Sequence, residues 1–161
     1  MSIAKTLPSS VIASLTEEVL QKGQLFSFSV RGRSMNPVLR EGDRIVVGPF
    51  QKEKLSLGQL LVYRRGDEDG VIVHRLMKAQ TQDGKTLYLI SSDQAPLCPE
   101  TVSVDRLLGV VQRAFRGERE LFLNRGWRFW WGRLLILGSR YPWILRILFR
   151  LGRIGRGFFR S

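Results

Sequence analysis

The chain has 161 residues, with 43% hydrophobic and 25% charged side chains and a net charge of +12. That length suits one domain with its own core plus an appendage, and the single cysteine, Cys98, excludes an intrachain disulfide. No run of about 18 uncharged apolar residues occurs, so no conventional transmembrane helix is expected, and the first twenty residues, interrupted by Glu17 and Glu18, lack the apolar centre of a cleavable signal peptide.

In chain order, Ser9-Ser10 offers a helix cap, with Val11, Ile12, Leu15, Val19 and Leu20 at helical spacing and Gly23 as a stop. Phe26, Phe28 and Val30 alternate with serines at the period of a half-buried strand. Gly32-Arg33-Ser34-Met35-Asn36-Pro37 is a turn-rich break. Ile45-Val47 reads as a short buried strand behind the turn signal Glu41-Gly42-Asp43. Gln59-Tyr63 and Val71-Leu76 read as two strands joined by the polar turn Arg64-Gly70. Asp83-Gly84 marks another turn, Leu87-Ile90 a further strand and Leu107-Val111 a last one. Short strands at this spacing predict a mainly β fold, a barrel or folded sheet, with a short N-terminal helix. The expected organisation is a helix over 1–23, a β-domain over 24–120 and a tail over 121–161.

The tail is a different material. Between Leu121 and Ser161 stand nine Arg and no acidic residue, together with all four Trp; the first 120 residues carry 17 basic and 14 acidic side chains. The charge therefore says that the tail meets something anionic. After Pro142, helical spacing places Arg146, Arg150 and Arg153 on one narrow stripe and covers the remaining circumference with Trp143, leucines and isoleucines. A wide apolar face, an Arg stripe and Trp127, Trp130, Trp131 and Trp143 together describe an amphipathic helical tail lying on a membrane surface. A helical hairpin packed on the body or in an oligomer is the other reading. The tail is too apolar to be a solvated nucleic-acid arm. This predicts a peripheral or monotopic protein of the cytoplasmic membrane.

Chemistry points to His74, the one histidine. A serine hydroxyl is a weak nucleophile until a neighbour takes its proton, and imidazole titrates in the range that suits a base at neutral pH. Ser34 is the best partner: Gly32 frees the backbone before it and Pro37 fixes the chain after it. Such a turn projects a hydroxyl and leaves nearby backbone N–H groups for an oxyanion. One His and one Cys do not build a usual metal site, so neither metal nor cofactor is expected. Cys98 lies in the loop-like run Ala95-Pro96-Leu97-Cys98-Pro99, Asp43 reads as a turn acid and Arg75 as a solvated strand charge.

The segment from Gly32-Arg33-Ser34-Met35-Asn36-Pro37 to Gly42-Asp43 resembles the nucleophile region, G-x-S-M-x-P followed by G-D, of the signal peptidase I and LexA-like serine peptidases. Gly58–Tyr63, Val71–Leu76, Ile90–Ala95 and Leu108–Val111 resemble the later boxes of that superfamily in the same order, over residues 24–114. The resemblance implies a β-rich peptidase fold with a peptide groove beside Ser34, in the turn of Gly32, Arg33 and Met35. Bacterial signal peptidases and LexA-like proteins use a Lys base, whereas His74-Arg75 matches the H-R of endoplasmic-reticulum-type and SipW-like enzymes. No Lys lies between Lys54 and Lys78.

Three departures follow. Gly32 and Arg33 stand where signal peptidases have S-G, which removes a side-chain oxyanion donor. Counting six residues beyond Asp93 reaches Pro99 and Glu100, so Asp93 or Glu100 orients His74, or a dyad suffices, and Asp93 reads equally as a structural turn acid. No membrane helix precedes the nucleophile. The expected function is a serine endopeptidase cleaving a membrane-proximal peptide or precursor. The alternatives are a non-catalytic peptide-binding member of the fold and a LexA-like self-cleaving regulator. The stretch before Gly32 is too short for that regulator's DNA-binding domain.

Overall fold

The computed structural model describes residues 9–65, 70–82, 84–123 and 126–141. In chain order the elements are α1 (Ser9–Gln21), β1 (Phe26–Ser29), β2 (Arg44–Gly48), β3 (Leu60–Arg65), β4 (Gly70–Gln82), β5 (Lys85–Ser91), β6 (Glu100–Ser103), β7 (Leu107–Arg116), β8 (Arg119–Glu120) and α2 (Gly126–Arg140). The strands form one antiparallel sheet in the order β1-β2-β7-β3-β4-β5-β6, with β8 paired to β7. The mainly β architecture with a helix at each end of the described chain agrees with the sequence pattern. Two strands were not legible: β6, which is mostly polar, and β8, which has two residues.

Register shifts interrupt the ladders at Val46/Val47, Val62/Tyr63 and Leu76/Lys78. Such irregularities bend a strand and raise its twist. The sheet is therefore curled, and its side chains sort into two buried clusters. One holds Met35, Val38, Leu39, Ile45, Val47, Leu60 and Val62 against α1. The other holds Leu61, Tyr63, Leu76, Tyr88, Ile90 and Val102. The alternation of Leu60 and Val62 with Leu61 and Tyr63 assigns one strand to both clusters, because successive side chains of a strand leave opposite faces.

Helix α1 is rotated from the expected apolar stripe. Val11 faces solvent, while Ala13, Thr16 and Leu20 are buried. The Thr16 hydroxyl donates to the Ile12 carbonyl oxygen at 2.6 Å, which makes its burial possible. Leu20 presses on Gly109, where an added Cβ would stand 2.6 Å from its Cδ1 and 2.7 Å from the Gly48 carbonyl oxygen. Glycine is thus required there by the approach of helix to sheet.

The connection between β1 and β2 is closed at its base. Val30 N–H donates to the Asp43 carbonyl at 2.8 Å and Gly42 N–H to the Val30 carbonyl at 2.9 Å. The buried Asp43 carboxylate accepts from the Arg116 guanidinium at 2.7 and 2.8 Å and from the Arg40 N–H at 2.8 Å. Burial raises the Asp43 carboxyl, but the Arg116 hydrogen bonds, the Arg40 N–H and the neighbouring positive charges outweigh it and hold it below the usual carboxylate range.

The folded state therefore binds this proton less readily than the unfolded chain. The stability it confers is present above the ordinary carboxylate value and is lost as pH falls through the lower folded value. Asp43→Asn is expected to cost about 1.5–3 kcal/mol at pH 7, and the gap from the unsubstituted protein should narrow below about pH 4. Urea denaturation at pH 7 and pH 3 checks both parts.

Candidate functional site

The loop of residues 31–43 projects from the closed base between β1 and β2. Gly32 sits at φ +79°, the left-handed region that a side chain rarely adopts. Asn36 N–H donates to the Arg33 carbonyl at 3.0 Å and Leu39 N–H to the Met35 carbonyl at 2.9 Å, so the backbone winds tightly around residues 33–39. Met35, Val38 and Leu39 are buried beneath it, while Gly32, Arg33 and Ser34 stay exposed. The apolar side chains anchor the turn, and the hydroxyl remains on its outer surface.

His74 comes from β4, directly opposite Leu61 on β3. Its Nδ1 lies 3.0 Å from the Tyr63 hydroxyl oxygen, and that hydroxyl donates to Oε1 of Glu100 at the start of β6. Ser34 and His74 line one cavity of about 380 Å³, together with Ile12, Phe28, Val30, Arg31, Met35 and Val71–Val73. One wall is the end of β1 and the start of the loop. The other is the first half of β4. Gly70–Arg75 of β4 pair with β3, while the ladder to β5 begins only at Arg75. Beside the cavity, the second edge of β4 therefore has no ladder partner among the described residues.

The family model for Peptidase S24-like proteins matches residues 4–111. The chain belongs to that family. That family includes serine peptidases, LexA-like self-cleaving regulators and non-catalytic members, and the match spans α1, the Gly32–Pro37 turn, His74 and the first half of β7. A search among curated proteins gave no match.

Within this S24-like domain, two sequence expectations change. Asp93 does not face the imidazole. Both of its carboxylate oxygens accept from Arg75, at 2.7 Å each from Nε and Nη2, and the third guanidinium nitrogen, Nη1, donates to the Gly58 carbonyl at 2.7 Å. Neighbouring residues on a strand project to opposite faces, so Arg75 and its acid lie across the sheet from His74. Nor is Arg75 a solvated charge: its side chain is 5% exposed and that of Asp93 is fully buried. Burial pushes the Asp93 carboxyl up while the Arg75 guanidinium pulls it down. The pair is positional. It fixes the turn after β5, whose Gln94 N–H donates to the Ser34 carbonyl at 3.1 Å and whose Gln94 Nε2 donates to the Asn36 carbonyl at 3.1 Å.

Of the two candidate acids, Glu100 is the one connected to His74, with Tyr63 between them. Tyr63 escaped notice because a tyrosine in an apolar strand reads as core, which its full burial also makes it. Its hydroxyl was the signal, since a buried Tyr O–H needs a partner. Cys98 is an exposed free thiol. Among the described residues, no group of three His, Cys, Asp or Glu side chains is placed to hold a metal ion.

In the tail, Trp131 turns inward and packs on the core beside Leu135 and Met77, so it does not belong to an outward membrane face. Trp130 is 69% exposed. The Trp127 side chain, Trp143, Arg146, Arg150 and Arg153 lie outside the described residues. Among those described, no helix is long and apolar enough to cross a membrane.

Removing one partner of a buried ion pair leaves the other charge uncompensated, at a cost of about 3–5 kcal/mol. Arg75→Met and Asp93→Leu should each cost that much, and the double variant should recover most of it. Denaturant midpoints of the three variants test this. Additive losses would show that the two charges are not coupled.

Proposed function

We propose that this S24-like chain is a serine endopeptidase in which Ser34 is the nucleophile and His74 the general base. The observation that carries the reading is the shared cavity: it is lined by an exposed serine on a fixed turn and by the chain's one imidazole. No lysine is among the lining residues, so His74 is the lining group suited to take a proton near neutral pH. His74 accepts the Ser34 proton as the serine oxygen bonds to the scissile carbonyl carbon. Backbone N–H groups of the Gly32–Met35 turn stabilise the oxyanion. The imidazolium returns the proton to the leaving amine, the C–N bond breaks, and water then hydrolyses the acyl-enzyme.

An extended peptide suits the slot. The cavity runs between the end of β1 and the stretch of β4 whose second edge is unladdered, and a strand added there gains main-chain hydrogen bonds. Phe28, Val30 and Val73 give the slot apolar walls.

We place the substrate near a membrane. On α2, Trp130, Arg133 and Leu137, with Tyr141 just beyond, recur at helical spacing and are exposed, opposite the buried Leu135. The nine Arg beyond residue 120, with no acid among them, match an anionic lipid surface.

A fluorophosphonate probe is expected to label the protein at Ser34. Ser34→Ala and His74→Ala should both abolish labelling, and Ser34→Ala should leave the thermal midpoint unchanged because the side chain is exposed. Labelling that persists in Ser34→Ala refutes the assignment. An inert unsubstituted protein favours a non-catalytic peptide-binding member.

Co-sedimentation with phosphatidylglycerol vesicles should exceed that with phosphatidylcholine vesicles. It should fall in Trp130→Ala/Leu137→Ala and weaken in high salt. Equal partition in every case sinks the membrane reading.

A further inference from the structure

We infer that Tyr63 and Glu100 are positioning residues that fix the tautomer of His74 and stabilise its protonated form. For its catalytic meaning the inference rests on the peptidase reading; the geometry does not. Tyr63 has one hydroxyl proton and donates it to the Glu100 carboxylate. Its oxygen then meets His74 Nδ1, 3.0 Å away, as an acceptor. Nδ1 must therefore carry the proton in the neutral ring, which leaves the lone pair on Nε2. When Nε2 takes a proton, the new positive charge is met by an oxygen already polarised by a carboxylate. Three strands build this row. Tyr63 comes from β3 and His74 from β4, while Glu100 enters on β6 through its pairing with Ile90 of β5.

Tyr63 is fully buried, and its ring lies 6.0 Å from the imidazole, centroid to centroid, at 56°. The hydroxyl is thus held by core packing rather than by a mobile surface side chain. Arg31, Tyr88 and Arg75 are further charged or titratable groups around this row, and none of them favours the protonated imidazole. Arg31, in the cavity wall, disfavours imidazolium. Tyr88 belongs to the cluster around Tyr63, and burial followed by the charge of Glu53 pushes its phenol up, so it stays neutral. Arg75 faces the opposite side of the sheet, paired with Asp93.

A single histidine gives a single imidazole signal set, so nitrogen-15 NMR reads this residue without ambiguity. The unsubstituted protein is expected to show the Nδ1–H tautomer above the imidazole pKa. Tyr63→Phe keeps the ring and removes the hydroxyl. It should return the tautomer ratio toward that of free imidazole and lower the pKa by about one unit or more. Glu100→Gln, at an exposed position, leaves the core intact and should lower the pKa in the same direction, with Glu100→Asp restoring part of it. In fluorophosphonate labelling the acid limb of the pH–rate profile should move to lower pH in the same variants while the plateau rate falls.

An unchanged tautomer and pKa in both Tyr63→Phe and Glu100→Gln overturns the inference. Should Tyr63→Phe fail to fold, Glu100→Gln decides alone. Absence of labelling in the unsubstituted protein defeats the peptidase reading, and the NMR titration still decides whether the row exists.

Discussion

At the guanidinium of Arg75 four segments distant in sequence meet. Its Nη1 holds the carbonyl of Gly58 ahead of β3, and Nε and Nη2 hold Asp93 after β5. Its own strand carries His74 one residue earlier. Gly132 of α2 comes so close to the same Nη1 that an added Cβ would stand 2.7 Å from it. A charge buried to this degree is tolerated only with its hydrogen bonds filled, so each segment is held to one position relative to the others. The turn after β5 is then fixed, Gln94 meets the backbone of Ser34 and Asn36, and the loop of residues 31–43 is seated against the body.

A second ion pair does the same work at the base of that loop. Asp43 and Arg116 connect the start of β2 to the end of β7. The two pairs differ in exposure. Arg116 is 34% exposed on its side chain and Arg75 only 5%. The inner pair is accordingly the more demanding of geometry, and the outer one the more open to water and salt. Between them the loop that carries Ser34 is held at its base and, through Gln94, at Ser34 and Asn36, while its outer surface, Gly32 to Ser34, stays exposed. Rigidity below and access above suit the role proposed for Ser34.

The curled sheet separates two environments on neighbouring residues of β4. His74 lines the cavity and meets the polar row through Tyr63 to Glu100; Arg75 faces the packing of α2. One strand thus supplies both the chemical group and its structural anchor, and the side-chain period of two keeps them apart. The tail is not a simple appendage. Its helix α2 gives Leu135, Gly132 and Trp131 to the body and keeps Trp130 and Leu137 outside. For α2 the structure thus combines the two readings of the sequence, one face packed on the body and one exposed.

Alternation at Phe26–Val30, the apolar runs Leu60–Val62 and Leu87–Ile90 and the turn residues between them made the β architecture readable, because strand period and turn chemistry are local properties. Ser34 and His74 were readable as candidates for a similar reason: a turn flanked by Gly32 and Pro37 and a lone imidazole stand out in the sequence without reference to a partner. What surrounds them was not. Asp93 read as the first choice of acid and Glu100 as its alternative, and Arg75 looked like an exposed strand charge. Only strand register and the curl of the sheet sent Asp93 to Arg75 and brought Glu100 to Tyr63, across a separation of 37 residues. Composition and local pattern set which groups the chain possesses. Which of them touch depends on long-range pairing, and a side chain's neighbours across a sheet leave no mark on its neighbours in sequence.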